Sequence, residues 1–170
     1  NGSAWTEVND LNTARSGLGG NGTQTSALAY GGANPSTVAL AKTNSWNGST
    51  WTEVNDINTA RRGSPGSAGE DNESALMFAG YIPPSGTGHV NNTEKWNGTN
   101  WTTVTAMNTA RYSLGGGGIV TSALAFGGYS TAQQALTEYY NGSNWTAMNV
   151  MNEARYNLGG TGATYNASMA

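Results

Sequence analysis

The chain contains no cysteine and a single histidine, His89, among its 170 residues. Without thiols it can form neither a disulfide framework nor a thiolate metal site. A copper site needs several His, Tyr or Cys ligands, and a hydrolytic triad needs an acid and a nucleophile placed around its histidine. No recurring pair of carboxylates indicates glycoside hydrolysis either. We therefore expect a protein that is not an enzyme and that needs no cofactor or metal.

Charged residues are also scarce, at 10% of the chain, and the formal net charge is −3. The basic residues form no patch, so a nucleic-acid partner is not expected. No apolar run approaches the length of a membrane span and no signal peptide is visible, so we expect no membrane insertion. Low charge with abundant glycine is typical of disordered segments, but the large apolar residues are evenly spaced here, which favours a folded chain.

A repeated unit is the main feature that the sequence does contain. Each copy has a tryptophan, followed by a short segment that ends in Ala-Arg. The tryptophans are Trp5, Trp51, Trp101 and Trp145, and the arginines are Arg15, Arg61, Arg111 and Arg155. The tryptophans lie about 44 to 50 residues apart, which is the period of propeller blades.

Each full unit divides into four segments that predict a four-stranded antiparallel meander, with strands a, b, c and d from the inside out. The first segment is glycine-rich, as a strand needs to be where backbones approach closely. The second ends in a glycine pair that permits a turn with positive φ. An Asn-Gly dipeptide at positions 47, 97 and 141 predicts the hairpin between c and d. No window carries apolar residues at helical spacing. The glycine pairs are Gly31-Gly32 and Gly127-Gly128.

These features together resemble a kelch repeat: the glycine pair after strand b, an aromatic residue before the c–d turn, a tryptophan in strand d, and then Met-Asn-Thr-Ala-Arg at 107–111. The resemblance implies an all-β fold, a kelch-like β-propeller or partial propeller of four-stranded antiparallel blades. The second unit departs from it, because Ala79-Gly80 replaces the glycine pair and Pro65 interrupts strand a. The Asn-, Gly-, Thr- and Ala-rich composition resembles kelch-like arrays in predicted tail-fibre and surface proteins of phages and aquatic bacteria.

The order of segments predicts a single domain over residues 1–170. It would hold strand d in 1–14, blades at about 15–55, 61–105 and 111–149, and a partial blade at 155–170. The two ends of the chain together supply strands d, a and b of a fourth blade but not strand c. The chain also begins within a repeat and without an initiator methionine. We therefore expect either a segment of a longer propeller or a chain that associates with its own copies.

The repeated residues are interpreted as structural. The arginines would bind carbonyl groups in the d–a connection through the guanidinium fork, and the alternative is a ring of arginines that binds an anion. The four tryptophans would pack between blades, and the alternative is a set of sugar-stacking platforms. Three aromatic residues beside the c–d turn are expected to be partly exposed: Trp46, Trp96 and Tyr140. The acidic segment 70–73 is interpreted as a solvated a–b loop and, alternatively, as a cation site.

Function is expected in the loops, because the b–c loops vary between units while the c–d turns do not. The longest b–c loop begins at Tyr81. The predicted binding residues are Tyr81, Pro83, Pro84, His89, Arg62 and Tyr129. We expect a non-enzymatic recognition or structural module, extracellular or on a virion surface, that binds a protein or glycan receptor. The alternatives are a lectin-like propeller that binds carbohydrate through exposed Trp96 or Tyr129, and a segment of a larger propeller enzyme whose catalytic groups lie outside this chain.

Overall fold

The computed structural model describes residues 3–83 and 88–162, and in these ranges the chain forms twelve β-strands and no helix. Accordingly, the described part of the chain has no helix that could cross a membrane. The strands form three sheets. Sheet 1 holds β1 (Gly19–Gly22), β2 (Ala27–Tyr30), β3 (Thr43–Trp46) and β4 (Trp51–Val54). Sheet 2 holds β5 (Gly66–Gly69), β6 (Ala75–Phe78), β7 (Thr93–Trp96) and β8 (Trp101–Val104). Sheet 3 holds β9 (Gly115–Ile119), β10 (Ser122–Phe126), β11 (Thr137–Tyr140) and β12 (Trp145–Ala147).

Every sheet is an antiparallel meander in which strands adjacent in sequence are hydrogen-bonded neighbours. The predicted all-β fold with four-stranded antiparallel sheets is therefore confirmed. Within residues 3–83 and 88–162, no fourth sheet joins sheet 3 to sheet 1. Pro65 does not interrupt a strand: β5 begins directly after it, at Gly66. There its missing N–H removes no bond from the ladder.

The hairpins between the third and fourth strands are built alike in all three sheets. In sheet 1, the side-chain oxygen of Asn47 accepts hydrogen bonds from the backbone N–H groups of Ser49 and Thr50, at 3.0 and 2.9 Å. This is the local pairing that makes asparagine a turn residue. Gly48 follows with a φ of 93°. Asn97 and Asn141 repeat the arrangement. Each hairpin thus closes through a four-residue loop that the asparagine side chain holds in shape.

The glycine-rich first strands lie side by side, β1 against β5 and β5 against β9. A Cβ added at Gly116 would lie 2.8 Å from the backbone of Ser67 in the neighbouring sheet. A Cβ at Gly66 would lie 2.0 Å from the ring of Phe78. Glycine is required here because only a bare backbone admits both the neighbouring strand and the aromatic ring of its own sheet.

The core lies between successive sheets. Trp101 of sheet 2 packs edge-on against Tyr30 of sheet 1, with ring centroids 4.9 Å apart, and its indole N–H donates to the hydroxyl of Thr43 at 3.0 Å. Trp145 of sheet 3 makes the same two contacts with sheet 2, through Phe78 at 4.9 Å and Thr93 at 3.1 Å. Each buried aromatic ring therefore ties one sheet to the one before it, and its polar atom is satisfied.

Three aromatic residues that the sequence predicted to be partly exposed are buried instead: Trp46, Trp96 and Tyr140. Each ring lies beside the tryptophan across its own hairpin, with centroids 5.1 to 5.6 Å apart. The indoles of Trp46 and Trp96 also donate to backbone carbonyls of the preceding loops. The cross-strand partner and this hydrogen bond hold the rings inward, which the position beside a turn did not indicate.

The described part of the segment predicted to hold an N-terminal strand, residues 3–14, forms no strand. Trp5 is fully exposed and does not pack between sheets, because in the described chain no sheet lies against its ring. Trp51 is half-buried. Asn9 still reaches the hairpin of sheet 1, donating to the Ser49 carbonyl at 2.8 Å. Of the predicted partial blade, residues 155–162 are described and hold two isolated bridge positions, and residues 163–170 lie outside the described residues.

Candidate binding surface

One edge of the structure is formed where the connections between sheets meet the loops after the second strands. In three units, the residue after the repeated arginine pairs with the residue after the glycine pair, or after Ala79-Gly80 in the second unit. These antiparallel bridges join Ser16 and Ala33, Arg62 and Tyr81, and Tyr112 and Tyr129. In the second bridge, the N–H of each residue donates to the carbonyl of the other, at 2.9 and 2.8 Å. Paired residues of an antiparallel bridge present their side chains to the same face. Six side chains from three units are thus brought to one edge.

Four tyrosines form a continuous row along this edge, which we call the tyrosine row: Tyr81, Tyr112, Tyr129 and Tyr156. Successive ring centroids lie 5.5, 5.7 and 5.6 Å apart, and the ring planes are inclined at 56° to 64°. Edge-to-face pairs of this kind contribute about 0.5–1.5 kcal/mol beyond simple burial, so the rings hold one another in place. Three of the rings are half-buried and Tyr156 is 44% exposed.

Arg62 closes the row at the end nearer sheet 1. Its guanidinium carbon lies 5.5 Å from the centroid of the Tyr81 ring, within the range of a cation–π contact. Its buried Nε has no hydrogen-bond partner. None of the ion pairs within residues 3–83 and 88–162 includes Arg62. Among the described residues, the guanidinium of Arg62 therefore has an aromatic ring as a partner and no carboxylate.

Beside Arg62 lies a hollow of about 380 Å³, which we call the Arg62 hollow. Seven residues line it: Ser16, Gly17, Ala33, Arg62, Gly63, Tyr81 and Tyr112. The hollow exists because the bridge of sheet 1 carries a serine and an alanine, where sheet 3 carries two tyrosines. Its volume lies within the usual range for small-molecule sites.

Two further predicted binding residues, Pro83 and His89, belong to the Tyr81 loop and are not among the residues that line the hollow. His89 is half-buried and forms a backbone bridge with Tyr81. Pro83 is half-buried at a turn, and Pro84 lies outside the described residues. The structure therefore brings Arg62, Tyr81 and Tyr129 into one surface. His89 instead pairs through its backbone with Tyr81 and so closes the loop.

The sequence did not predict that Tyr112 and Tyr156 belong to this surface. Both directly follow a repeated arginine, at the position that Arg62 holds in the second unit. The signal was present: this position varies between units while the arginine before it does not. A residue that varies beside a fixed one on a loop is where recognition residues are found.

Two of the repeated arginines, Arg61 and Arg111, are buried. Arg61 is fully buried and pairs with Glu94 at 2.7 Å, and Arg111 pairs with Glu138 at 3.2 Å. The same carboxylates accept the backbone N–H groups of Asn58 and Asn108, at 2.6 and 2.7 Å. Burial lowers the pKa of both arginines, and the adjacent carboxylates act against that shift. Each network fastens a connection between sheets to the sheet that follows it.

The first and last arginines have different surroundings. Arg15 donates to the carbonyls of Ala29 and Lys42 and to the side chain of Asn44, which holds the position of Glu94 and Glu138. Burial lowers the pKa of Arg15. Arg155 is exposed and pairs with Glu153 at 2.9 Å. Each of the four guanidinium groups thus binds groups of the protein. They do not form the anion-binding ring that was the alternative interpretation of the repeated arginines.

The acidic loop at 70–73 contacts the neighbouring sheet through its asparagine. Asn72 donates to the hydroxyl of Ser45 and accepts from the indole of Trp96, at 2.9 and 3.0 Å. Among the described residues, no group of three or more His, Cys, Asp or Glu side chains could hold a metal ion. The loop therefore links sheets 1 and 2 through the hydrogen bonds of Asn72.

No family model matches the chain, and no curated protein is significantly similar to it.

Proposed function

We propose that the chain is a segment of a kelch-like β-propeller and acts as a non-enzymatic recognition module, binding a receptor through the tyrosine row. The recognition surface would lie on the face that carries the b–c loops, as part of a phage tail or a cell surface. The assignment to an extracellular or virion surface rests on the compositional resemblance to such proteins. The tyrosine row is the observation that carries the proposed binding role.

The propeller proposal is supported by the way the sheets follow one another. The first strands of the three sheets and residues 160–162 line one cavity of about 400 Å³, as inner strands do around a propeller axis. The N–H of Gly118 donates to the carbonyl of Gly162 at 2.9 Å, so the fourth glycine-rich segment continues the series beside β9. A stack of flat sheets would not direct four such segments at a common cavity.

A backbone ladder between units gives further support. The N–H of Ser64 donates to the carbonyl of Gly17, Ser113 to Gly63, and Asn157 to Ser113, at 3.0, 2.7 and 2.8 Å. All five residues have positive φ values, between 45° and 80°. The same left-handed link therefore recurs from unit to unit. A constant step repeated around an axis is the geometry from which a propeller is built.

The recognition proposal follows from what the tyrosine row offers to a partner. Tyrosine combines a large apolar ring with a polar hydroxyl group, and it is enriched among the residues that dominate binding energy. Neighbouring rings restrain one another here, so little side-chain freedom remains to be lost on binding. The surface spans three successive units, so the relative positions of the sheets fix the spacing of the rings.

The test is a glycan and protein array probed with the labelled chain, followed by substitution of the row. Tyr112→Ala and Tyr129→Ala should each abolish most binding, because they remove central rings. Trp5→Ala is the matched control, since Trp5 is an exposed aromatic residue away from the row. Circular dichroism would check that each variant folds. Binding that survives both tyrosine changes, or that is lost with Trp5→Ala, would refute the assignment of the row.

A second experiment addresses assembly, because we propose that the chain either belongs to a longer propeller or associates with its own copies. Exposed apolar residues occur before sheet 1, at Trp5 and Val8, and after sheet 3, at Met148 and Val150. Light scattering on a sizing column measures the mass in solution. A multiple of the chain mass would support self-association, and Val150→Asp should then reduce it. A monomeric mass would refute self-association and leave the longer propeller.

A further inference from the structure

We infer that the Arg62 hollow is a binding site for an acidic sugar, in which Arg62 binds the carboxylate of a hexuronate residue and the attached polysaccharide runs along the tyrosine row. This inference rests on the proposed recognition function and specifies its ligand. Charge, ring chemistry and the shape of the hollow each support it.

The charge of Arg62 is the first argument. The four repeated arginines bind carboxylates or carbonyls, whereas Arg62 pairs, within the part of the chain that the structure describes, with the ring of Tyr81 and with no carboxylate. A guanidinium stacked on an aromatic ring still presents N–H groups in its own plane. Those groups match the two oxygens of a carboxylate, and such bidentate pairs are among the strong hydrogen bonds of proteins. A carboxylate is therefore the missing partner that fits Arg62 best.

The rings of Tyr81 and Tyr112 are the second argument, because they line the same hollow as Arg62. A sugar has an apolar face of C–H groups and a rim of hydroxyls. It can lay that face against an aromatic ring while its hydroxyls remain hydrogen-bonded. An inorganic anion would make no use of the two rings. A nucleic acid would require many cations, whereas the whole chain carries seven lysines and arginines and a net charge of −3.

The shape of the hollow is the third argument, because it distinguishes this position from the corresponding position in sheet 3. Small side chains at Ser16 and Ala33 leave the space open, and the exposed Ser16 hydroxyl adds a polar group at the rim. The corresponding positions of sheet 3 are filled by Tyr112 and Tyr129. Residues 3–83 and 88–162 therefore hold one such arginine-lined hollow with rings leading away from it, which predicts that one acidic sugar residue binds per chain.

The experiment is isothermal titration of the full chain with short oligomers of galacturonate, of mannuronate, and of the glucuronate-containing hyaluronan repeat. Each is paired with its carboxyl methyl ester, which keeps the ring and removes the charge. A sulfated neutral oligosaccharide and a hexaglutamate peptide test other sources of negative charge. We expect at least one uronate oligomer to bind with one site per chain. Its methyl ester should bind more weakly by at least about tenfold, because the esterified group loses one charged hydrogen-bond pair.

Three variants connect that binding to the site. Arg62→Gln should weaken uronate binding to the level of the methyl ester and leave methyl ester binding unchanged. Ala33→Tyr should fill the hollow and weaken both ligands. Lys42→Gln is the control for net charge, since Lys42 pairs with Glu53 and does not line the hollow. Its affinity should equal that of the unaltered chain. Thermal unfolding would check that all three variants fold.

Several outcomes would overturn the inference. These are the absence of binding by all three uronate series, equal affinity for acid and ester, a loss in Lys42→Gln that matches Arg62→Gln, or equal or tighter binding of the sulfated sugar or the peptide. Failure here is distinguishable from failure of the recognition function. A receptor that depends on Tyr129 but is indifferent to Arg62 would refute the acidic-sugar site and leave the tyrosine row as the binding surface.

Discussion

The buried ion pair between Arg61 and Glu94 leads to a sharp prediction for the substitution Glu94→Gln. Both side chains are almost completely buried, and their nearest charged atoms lie 2.7 Å apart. Glutamine keeps the shape of glutamate, and its one oxygen can still accept the N–H of Asn58. Its NH2 group then faces Arg61, so the substitution removes the negative charge together with the acceptor of Arg61. Arg61 would then keep only the Met77 carbonyl, at 3.5 Å, as a partner within its sheet.

The expected loss follows from leaving a charge buried without its counterion. Removing one partner of a buried pair typically costs about 3–5 kcal/mol. We expect about 3 kcal/mol for Glu94→Gln, the lower end, because the amide oxygen can still accept the N–H of Asn58. With a urea m-value of roughly 2 kcal/mol per molar, the midpoint of unfolding should fall by about 1.5 M.

The assay is urea unfolding followed by tryptophan fluorescence, with two further variants. Glu53→Gln breaks the exposed pair with Lys42 and should change the midpoint little, because both side chains are solvated. Arg61→Met added to Glu94→Gln should restore most of the loss, because it removes the uncompensated charge. A Glu94→Gln midpoint close to that of the unaltered chain, or no recovery in the double variant, would refute this account of the d–a connection.

Three further predictions concern the packing between sheets. Gly31→Ala should lower the free energy of unfolding by about 2–4 kcal/mol, because φ is +66° and the added Cβ would lie 2.8 Å from a carbonyl oxygen. Gly159→Ala, with no atom within 4 Å of its Cβ, should change stability by less than about 0.5 kcal/mol. Thr43→Val should cost about 1–3 kcal/mol by leaving the buried indole N–H of Trp101 without an acceptor. Burial raises the pKa of Tyr30, so its stabilising contribution is complete below pH of about 10 and is lost as the pH rises further, and Tyr30→Phe should flatten that alkaline decline.

Each of these predictions has a decisive comparison. Equal urea midpoints for Gly31→Ala and Gly159→Ala would contradict the steric argument. An unchanged midpoint for Thr43→Val would mean that the indole hydrogen bond contributes nothing. For Tyr30→Phe, midpoints are measured at several pH values between 9 and 11.5. A slope equal to that of the unaltered chain would show that another group causes the alkaline loss.

The sequence by itself determined the type, number and order of strands in each sheet. Those properties depend on local signals: the period-2 alternation of the strands, the glycine pairs at Gly31 and Gly127, and the asparagines that close the hairpins. A local signal acts within a few residues and needs no knowledge of the remaining chain. Ala79 replaces the first glycine of the pair in the second unit, and the turn keeps the same backbone conformation there: the φ of Ala79 is 64°, against 66° for Gly31 and 65° for Gly127.

The tertiary structure alone decided which side chains meet. Tyr81 and Tyr112 belong to different units, and the 5.5 Å between their rings is set by the packing of sheet 3 against sheet 2. The sequence pointed to Arg62, Tyr81 and Tyr129 but did not reveal the row that connects them. It also misjudged Trp96, whose burial depends on Trp101 across the hairpin. Contacts between units depend on how sheets pack in three dimensions, and the period of a repeat contains no measure of that packing.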